Sequence, residues 1–206
     1  MKILHVIPFL SVESGGPAVS TLLPVRYLNR MGKNSKILTF RPPLGETVLS
    51  EESFIRYLPE LKGWQRRVSY SSRLKEMLGK DTDTDVYHIQ GLWLYPVYLT
   101  AHMACKKQKP YIITLRGMLY PEALKQSAVI KKLALSFFQR RQLQEATCVQ
   151  ATCEEEMHYY REMGFTNPVA IIPNPVELEP LADDVFEKQM ISSVSDTSAV
   201  FIRENI

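Results

Sequence analysis

Lys2-Ile3-Leu4-His5-Val6-Ile7-Pro8, then Ser14-Gly15-Gly16-Pro17, then Ala18-Val19-Ser20-Thr21-Leu22-Leu23 is the stretch that decides the fold. Its first part is an apolar run without clean polar alternation, the pattern of a strand covered on both faces. Pro8 ends that strand in this reading. Gly15 and Gly16 permit positive φ and close approach of a ligand, and Pro17 suits a first helical position, where no backbone N–H is needed. Such a turn sets free N–H groups and the positive end of a helix dipole at a strand's carboxyl end, which favours phosphate or carboxylate. The same turn also occurs where a strand merely bends into a helix. It is neither G-x-G-x-x-G, for want of a third glycine, nor a Walker loop, since no Gly-Lys-Ser/Thr follows, so the dehydrogenase and NTPase readings drop.

Outward from this turn, the pattern predicts a helix from residue 17 to about 31, closed by Gly32, and a strand over 35–40. A Pro- and Gly-containing loop leads to a short strand over 54–58 and a helix over 64–78 ending at Gly79. Strands follow over 85–90, 111–115, 147–151 and 169–172, separated by helices over 95–107, 121–125, 128–145 and 154–163. Strands and helices alternate throughout, which predicts an α/β, Rossmann-like parallel sheet with helices on both faces. Pro173-Asn174-Pro175-Val176 breaks the pattern. Residues 1–178 read as one domain and 179–206 as a linker or tail, with 181–191 helical and 192–198 a linker.

The chain has 206 residues, 45% of them hydrophobic, enough for a sizeable core. Its formal charge of +3 is unevenly laid out: residues 1–100 hold 13 basic and 9 acidic side chains, 101–150 hold 9 and 2, and 151–206 hold 3 and 11. A basic middle block suits nucleic acid, anionic lipid or a phosphorylated ligand, and charge alone does not choose. Cys105, Cys148 and Cys153 are an odd set without paired spacing, which argues for a reducing compartment and against a zinc site or disulfide framework. The first residues are too short an apolar run for a signal peptide or a spanning helix, so the expected location is the cytoplasm.

Ligands of an open parallel sheet bind outside the carboxyl ends of its strands. Those ends hold Gly15 and Gly16, then His88, Gln90 and Trp93, then Arg116 and Gly117, and finally Asn174. His88 and Gln90 alternate on one face of their strand. A buried, hydrogen-bonded histidine is the plain alternative for His88. Arg116, a permanently charged fork with Gly117 clearing space beside it, has what phosphate recognition needs, an ordinary ion pair being its alternative. If it is exposed at the rim, its removal leaves folding nearly unchanged. Glu154, Glu155 and Glu156 read as carboxylates complementing a helix dipole, with Thr152 or Cys153 as cap. The run from Asp81 to Asp85 lies at the amino end of its strand and reads as a solvated loop. His5, His102 and His158 have no ligand spacing, and no metal is expected.

Five segments, taken together and in order, resemble one family. They are Ser14-Gly15-Gly16-Pro17, His88-Ile89-Gln90-Gly91-Leu92-Trp93, Thr114-Leu115-Arg116-Gly117-Met118-Leu119, Ala151-Thr152-Cys153-Glu154-Glu155-Glu156 and Ile172-Pro173-Asn174-Pro175-Val176. They are similar to the amino-terminal half of family-4 retaining glycosyltransferases of the GT-B fold, over residues 1 to about 178. The resemblance departs at two places: many members have a histidine where Gln90 stands and another where Arg116 stands, although a subset has Arg-Gly-Met.

The resemblance implies a sugar-acceptor-binding domain. Gly15 and Gly16 would lie near a donor diphosphate, Arg116 and His88 would be the catalytic pair, and Gln90, Trp93, Gly117 and Asn174 would line the substrate. It implies a nucleotide-sugar donor as substrate, held by a carboxyl-terminal domain beyond this sequence, with no cofactor and no nucleic-acid partner. The isolated chain is therefore expected to be inactive. Two alternatives stay open: a non-catalytic sugar-phosphate-binding module, and half of a GT-B sugar-nucleotide epimerase. The helix over 128–143 carries Lys131, Lys132, Arg140 and Arg141 beside Ile130, Leu133, Ala134, Phe137 and Phe138. Its apolar stripe is expected to dock on the sheet while its charges draw the chain to anionic lipid at the inner face of the plasma membrane.

Overall fold

The opening apolar run forms strand β1 (Lys2–Phe9), the middle of a parallel sheet. It continues through Pro8 rather than ending there. The pairing of β1 with β2 (Asn34–Phe40) shifts between Val6 and Phe9, so the ladder is already irregular where proline brings no N–H. The other strands are β3 (Ile55–Leu58), β4 (Val86–Gln90), β5 (Tyr111–Thr114), β6 (Cys148–Ala151) and β7 (Val169–Ile171). Their order is β3-β2-β1-β4-β5-β6-β7, and every neighbouring pair is parallel. The sheet grows one way from β1 to β3 and the other way from β4 to β7, which makes the β1/β4 boundary its switch point.

Parallel neighbours need crossovers, and helices supply them. They are α1 (Gly16–Arg30), α2 (Trp64–Val68), α3 (Ser72–Lys80), α4 (Tyr95–Lys106), α5 (Pro121–Lys125), α6 (Ala128–Ala134), α7 (Arg140–Glu145) and α8 (Glu154–Glu162). Strand alternation divides the core between the two faces. Ile7 and Ile37 pack with Ala18, Leu22 and Val25 of α1, whereas Val6 and Leu38 join Leu74 of α3, Val97 of α4 and Tyr160 of α8. The architecture is the expected α/β Rossmann-like sheet with helices on both faces.

This computed structural model describes residues 1–176, of which Met1–Pro175 form one compact unit. The expected tail over 179–206, with its helix over 181–191 and linker over 192–198, lies outside the described residues. Among the described residues no helix is long and apolar enough to cross a membrane.

Two helices differ from expectation. The one expected over 64–78 is broken: Ser69 is left-handed, with φ 56°, and the Ser71 hydroxyl accepts from the Leu74 N–H at 3.3 Å to start α3 afresh. Gly79 lies inside α3 rather than ending it. The helix over 128–145 carries a π segment at Leu135–Gln139 between α6 and α7. Its expected apolar stripe docks only in part: Ile130, Leu133 and Phe137 are exposed, whereas Ala134 and Phe138 are half-buried and Phe138 meets Tyr98 of α4 edge-on at 5.3 Å. The register is set further along, where Gln139, Gln142 and Leu143 are buried and the Gln142 carbonyl accepts from the Tyr111 hydroxyl at 2.7 Å. Extended back from there, the inward positions fall on Ala128, Lys131, Leu135 and Phe138.

Candidate functional site

After β1, the Ser11 side chain caps a 3-10 turn at Val12–Ser14, and Gly15 then takes φ +63° to launch α1. Gly15 is the glycine this turn requires, since Gly16 has ordinary φ. The N–H groups are fewer than expected. Gly15 donates to the Val12 carbonyl at 3.0 Å, Ala18 donates to the Gly15 carbonyl at 3.1 Å and Pro17 has none, which leaves the Gly16 N–H at the helix start. A Cβ at Gly15 or Gly16 would meet nothing within 4 Å, so the turn borders open space.

Across the switch point, Arg116 follows β5 with φ +59°, a left-handed conformation that a non-glycine side chain adopts at a cost of about 1–2 kcal/mol. That turn aims its fork at three other elements. Nη1 donates to the Ser20 hydroxyl of α1 and to Asn174 Oδ1 at 2.7 Å; Nη2 donates to Gln90 Oε1 at 2.7 Å and to Thr21 Oγ1 at 3.2 Å. Ser20 and Thr21 can accept because each hydroxyl donates its own proton back along α1, to the Gly16 and Pro17 carbonyls, both at 2.7 Å. Burial pulls the guanidinium down to about 10, against an opposing pull from the Glu156 carboxylate, so it stays charged at neutral pH.

Register builds a polar patch on the α1 face. Gln90 pairs with Thr114 and Thr114 with Gln150, while His5 pairs with His88 one row below. The Thr114 hydroxyl donates to Gln150 Oε1 at 3.2 Å, so its 2.8 Å contact with His88 Nε2 makes that nitrogen the donor and leaves Nδ1 as the lone pair. Burial first and Arg116 second push His88 down to about 4. The His5 ring, 4.8 Å away, is held well below its ordinary value by burial, then by His88 and Arg116. One fixed cation therefore stands beside two neutral imidazoles.

A family model described as a glycosyl transferase 4-like domain matches residues 15–175. The chain belongs to this family. The fold agrees with solved structures at low identity. Sucrose-phosphate synthase from Thermosynechococcus elongatus superposes with a TM-score of 0.58 at 15% identity, over 92% of this chain and 53% of that one. Alr3699/HepE of Anabaena, in complex with UDP and glucose, gives 0.55 at 13% identity, over 95% and 51%. The same protein in complex with UDP-glucose gives 0.56 at 13%, over 95% and 50%. The chain thus spans about half the length of these structures. Among curated proteins no sequence matches.

In this glycosyl transferase 4-like domain, the residues expected at the site fall into three groups. Arg116, Gln90 and Asn174 are in direct contact, and His88 joins them through Thr114. Gly15 and Gly16 begin the helix whose Ser20 and Thr21 receive Arg116. The backbones of Trp93 and Gly117 are bonded to other elements. The Trp93 N–H donates to Gln139 Oε1 at 3.0 Å with the residue at φ +73°, and the Gly117 N–H donates to Glu156. Glu156 does more than complement a helix dipole. It is buried and also accepts from Thr152, through N–H at 2.6 Å and Oγ1 at 2.9 Å, so one carboxylate ties the β5 turn to the start of α8. Ser20, Thr21, Thr114, Gln150 and His5 are partners that sequence reasoning misses. A signal exists for Ser20 and Thr21, polar side chains that lie next to the apolar stripe of α1 and are buried. The run from Asp81 to Asp85 is tied down, not merely solvated: Asp81 accepts from Tyr87 Oη at 2.8 Å, and Asp83 pairs with Lys2 at 3.0 Å.

Proposed function

We propose that this chain is the acceptor-binding half of a retaining glycosyltransferase of hexosyl type, moving a sugar from a nucleotide-sugar donor to a polysaccharide or glycolipid precursor. The observation that carries the reading is Arg116 at the switch point, bonded to the start of α1, the end of β4 and the exit at Asn174, beside a glycine turn that faces open space. The family match supports the transferase class, and the complexes of HepE with UDP, glucose and UDP-glucose support that kind of ligand.

In this reading the donor's diphosphate approaches the Gly15-Gly16 turn, where the α1 dipole and the guanidinium both favour negative charge. Those two sources of positive charge let transfer run without a resident metal or cofactor. Arg116 acts chiefly by position. All four of its terminal N–H groups have partners, and the exposed Asn174 is the partner that yields when an anion arrives. His88, neutral with its Nδ1 lone pair, and Gln90 orient the acceptor hydroxyl. The leaving phosphate takes the acceptor proton on the face where the new bond forms, so the protein contributes positioning and electrostatics. The acceptor is met at the inner face of a bacterial plasma membrane, with the enzyme in the cytoplasm.

Because the chain spans about half of the structures it matches, it binds but does not transfer by itself. The test is nucleotide-sugar turnover, with product analysis, by this chain alone and by a protein carrying a donor-binding domain after it. Transfer by the longer protein only is the expected result. Turnover by the 206-residue chain alone refutes the half-enzyme reading, and an epimerised donor without transfer refutes the transferase.

A further inference from the structure

Beside α3, at the amino end of the sheet, lies a cavity of about 830 Å³, the size of a small-molecule site. Its floor is the first residues of β1 and β2 together with β3, and one wall is the run over 81–84 that leads into β4. It is therefore at the opposite end of the strands from Gly15 and Arg116.

Strand alternation builds the floor. On the face that α3 covers, β2 presents Leu38 and Phe40 and β3 presents Leu58, all buried with Leu74 and Leu78 of the helix. The same face carries Lys36, two positions before Leu38, and Arg56, which pairs in register with Leu38. Both are exposed. A charge on the inward face of an edge strand guards against edge pairing, which accounts for Arg56 on β3. It does not account for Lys36, because β2 is an interior strand.

Ion pairing divides the charges of the cavity unequally. Its carboxylates are Glu76, Asp81 and Asp83, and all three are engaged: Glu76 with Lys80 at 2.8 Å, Asp83 with Lys2 at 3.0 Å, and Asp81 as acceptor from the Tyr87 hydroxyl at 2.8 Å. Arg73 also reaches Glu76, at 3.8 Å. Lys36 and Arg56 are left without a hydrogen bond or ion pair from their side chains among the described residues. Around them Leu4, Met77 and Pro59 give an apolar wall, while Asn34 and Thr82 add an amide and a hydroxyl.

We propose that this cavity is a second binding site, separate from the switch point, for a small phosphorylated metabolite. The Arg56 fork and the Lys36 ammonium take the phosphate, and Asn34 and Thr82 meet the hydroxyls of a compact polar body. An extended polyanion is the poorer occupant, because Asp83 and Glu76, with side chains 79 and 48% exposed, line the same cavity and repel a broad negative surface. The site depends neither on a donor-binding domain nor on the transferase reading.

The test is titration of the 206-residue chain with inorganic phosphate, glucose 6-phosphate and glucose, followed by calorimetry and by NMR of the assigned backbone amides. Glucose 6-phosphate should shift the amides of Asn34, Lys36, Arg56 and Thr82 saturably, inorganic phosphate should shift the same amides more weakly, and glucose should leave them in place. The double variant Lys36→Gln with Arg56→Gln should weaken binding about tenfold or more while leaving the melt unchanged, since neither side chain holds another residue. Arg56→Lys keeps the charge without the fork and should fall between parent and double variant. Thr82→Glu, at an exposed loop position, should weaken binding by repulsion and checks the double variant independently. No saturable shift at millimolar concentration, an equal response to glucose, or undiminished binding by the double variant or by Thr82→Glu overturns the proposal. So do shifts confined to Gly16, Gln90 and Arg116, which put the phosphate at the switch point alone. The transferase reading itself is left to the turnover assay.

Discussion

Replacing Arg116 by alanine removes four donated hydrogen bonds, and the structure separates their weights. Ser20 and Thr21 lose only an accepted bond, because their hydroxyl protons stay engaged on backbone carbonyls. Asn174 is exposed and turns to water. Gln90 differs: at 4% exposure its Oε1 is left without this donor, which costs about 1–3 kcal/mol, and a charge-assisted bond is lost with it. Opposing this is relief of the burial penalty that had pulled the guanidinium down to about 10. The net expectation for Arg116→Ala is a loss of about 2 kcal/mol, or about 4–8 °C in Tm for a domain of this size. Arg116→Lys keeps the charge but not the planar fork, and should recover about half of that loss. A second readout is His88, whose imidazole should titrate upward once the neighbouring cation is gone. Thermal melts and histidine NMR on parent and variants measure both. In a longer protein with a donor-binding domain, transfer by Arg116→Ala should fall ~30- to 1000-fold. A melt within about 1 °C of the parent, together with an unmoved His88 titration, would refute the role of Arg116 as the joint between these elements.

The glycine turn separates shape from function: Gly15→Ala should cost about 1 kcal/mol because of its φ of +63°, whereas Gly16→Ala should melt like the parent and lose donor binding by calorimetry in the longer protein. Unchanged donor binding in Gly16→Ala would return the turn to a mere connector. Glu156→Gln should lower stability by about 1–3 kcal/mol, because an amide replaces one of the carboxylate oxygens that accept from Gly117 and Thr152; an unchanged melt would remove its structural role. For His88 the folded value of about 4 lies below the unfolded value of about 6.5, so the unfolded chain binds more protons between them. Its contribution, up to about 3 kcal/mol, is therefore present above pH ~6.5 and lost as pH falls towards ~4, with His5 acting in the same direction. Urea unfolding from pH 4 to 7 in parent and His88→Gln should show a steeper pH dependence in the parent, and parallel curves would contradict it.

The parallel sheet was legible because apolar runs without alternation and helical stripes closed by Gly32 and Gly164 are local signals. Helix details were less so. Ser69 and Ser71 interrupt an otherwise helical pattern by backbone conformation and a side-chain cap that composition does not distinguish from a solvated helix face. The outward turn of Ile130, Leu133 and Phe137 misleads a search for the apolar face, since the inward face is set by burial of Gln139, Gln142 and Leu143 further along the same helix.

What the sequence determined by itself was the order of strands and helices, and with it the set of residues at the strands' carboxyl ends, because both follow from side chains a few positions apart. The tertiary structure alone decided which of those residues meet. Arg116 is 96 positions from Ser20 and 58 from Asn174, and a left-handed backbone at residue 116 brings the fork to both. The same holds for Glu156, a carboxylate in a run of three whose burial against Gly117, 39 residues away, sets it apart from its two neighbours. Hydrogen-bond partners at such separations depend on sheet order and register, which are cooperative properties of the whole packed core rather than of any local stretch.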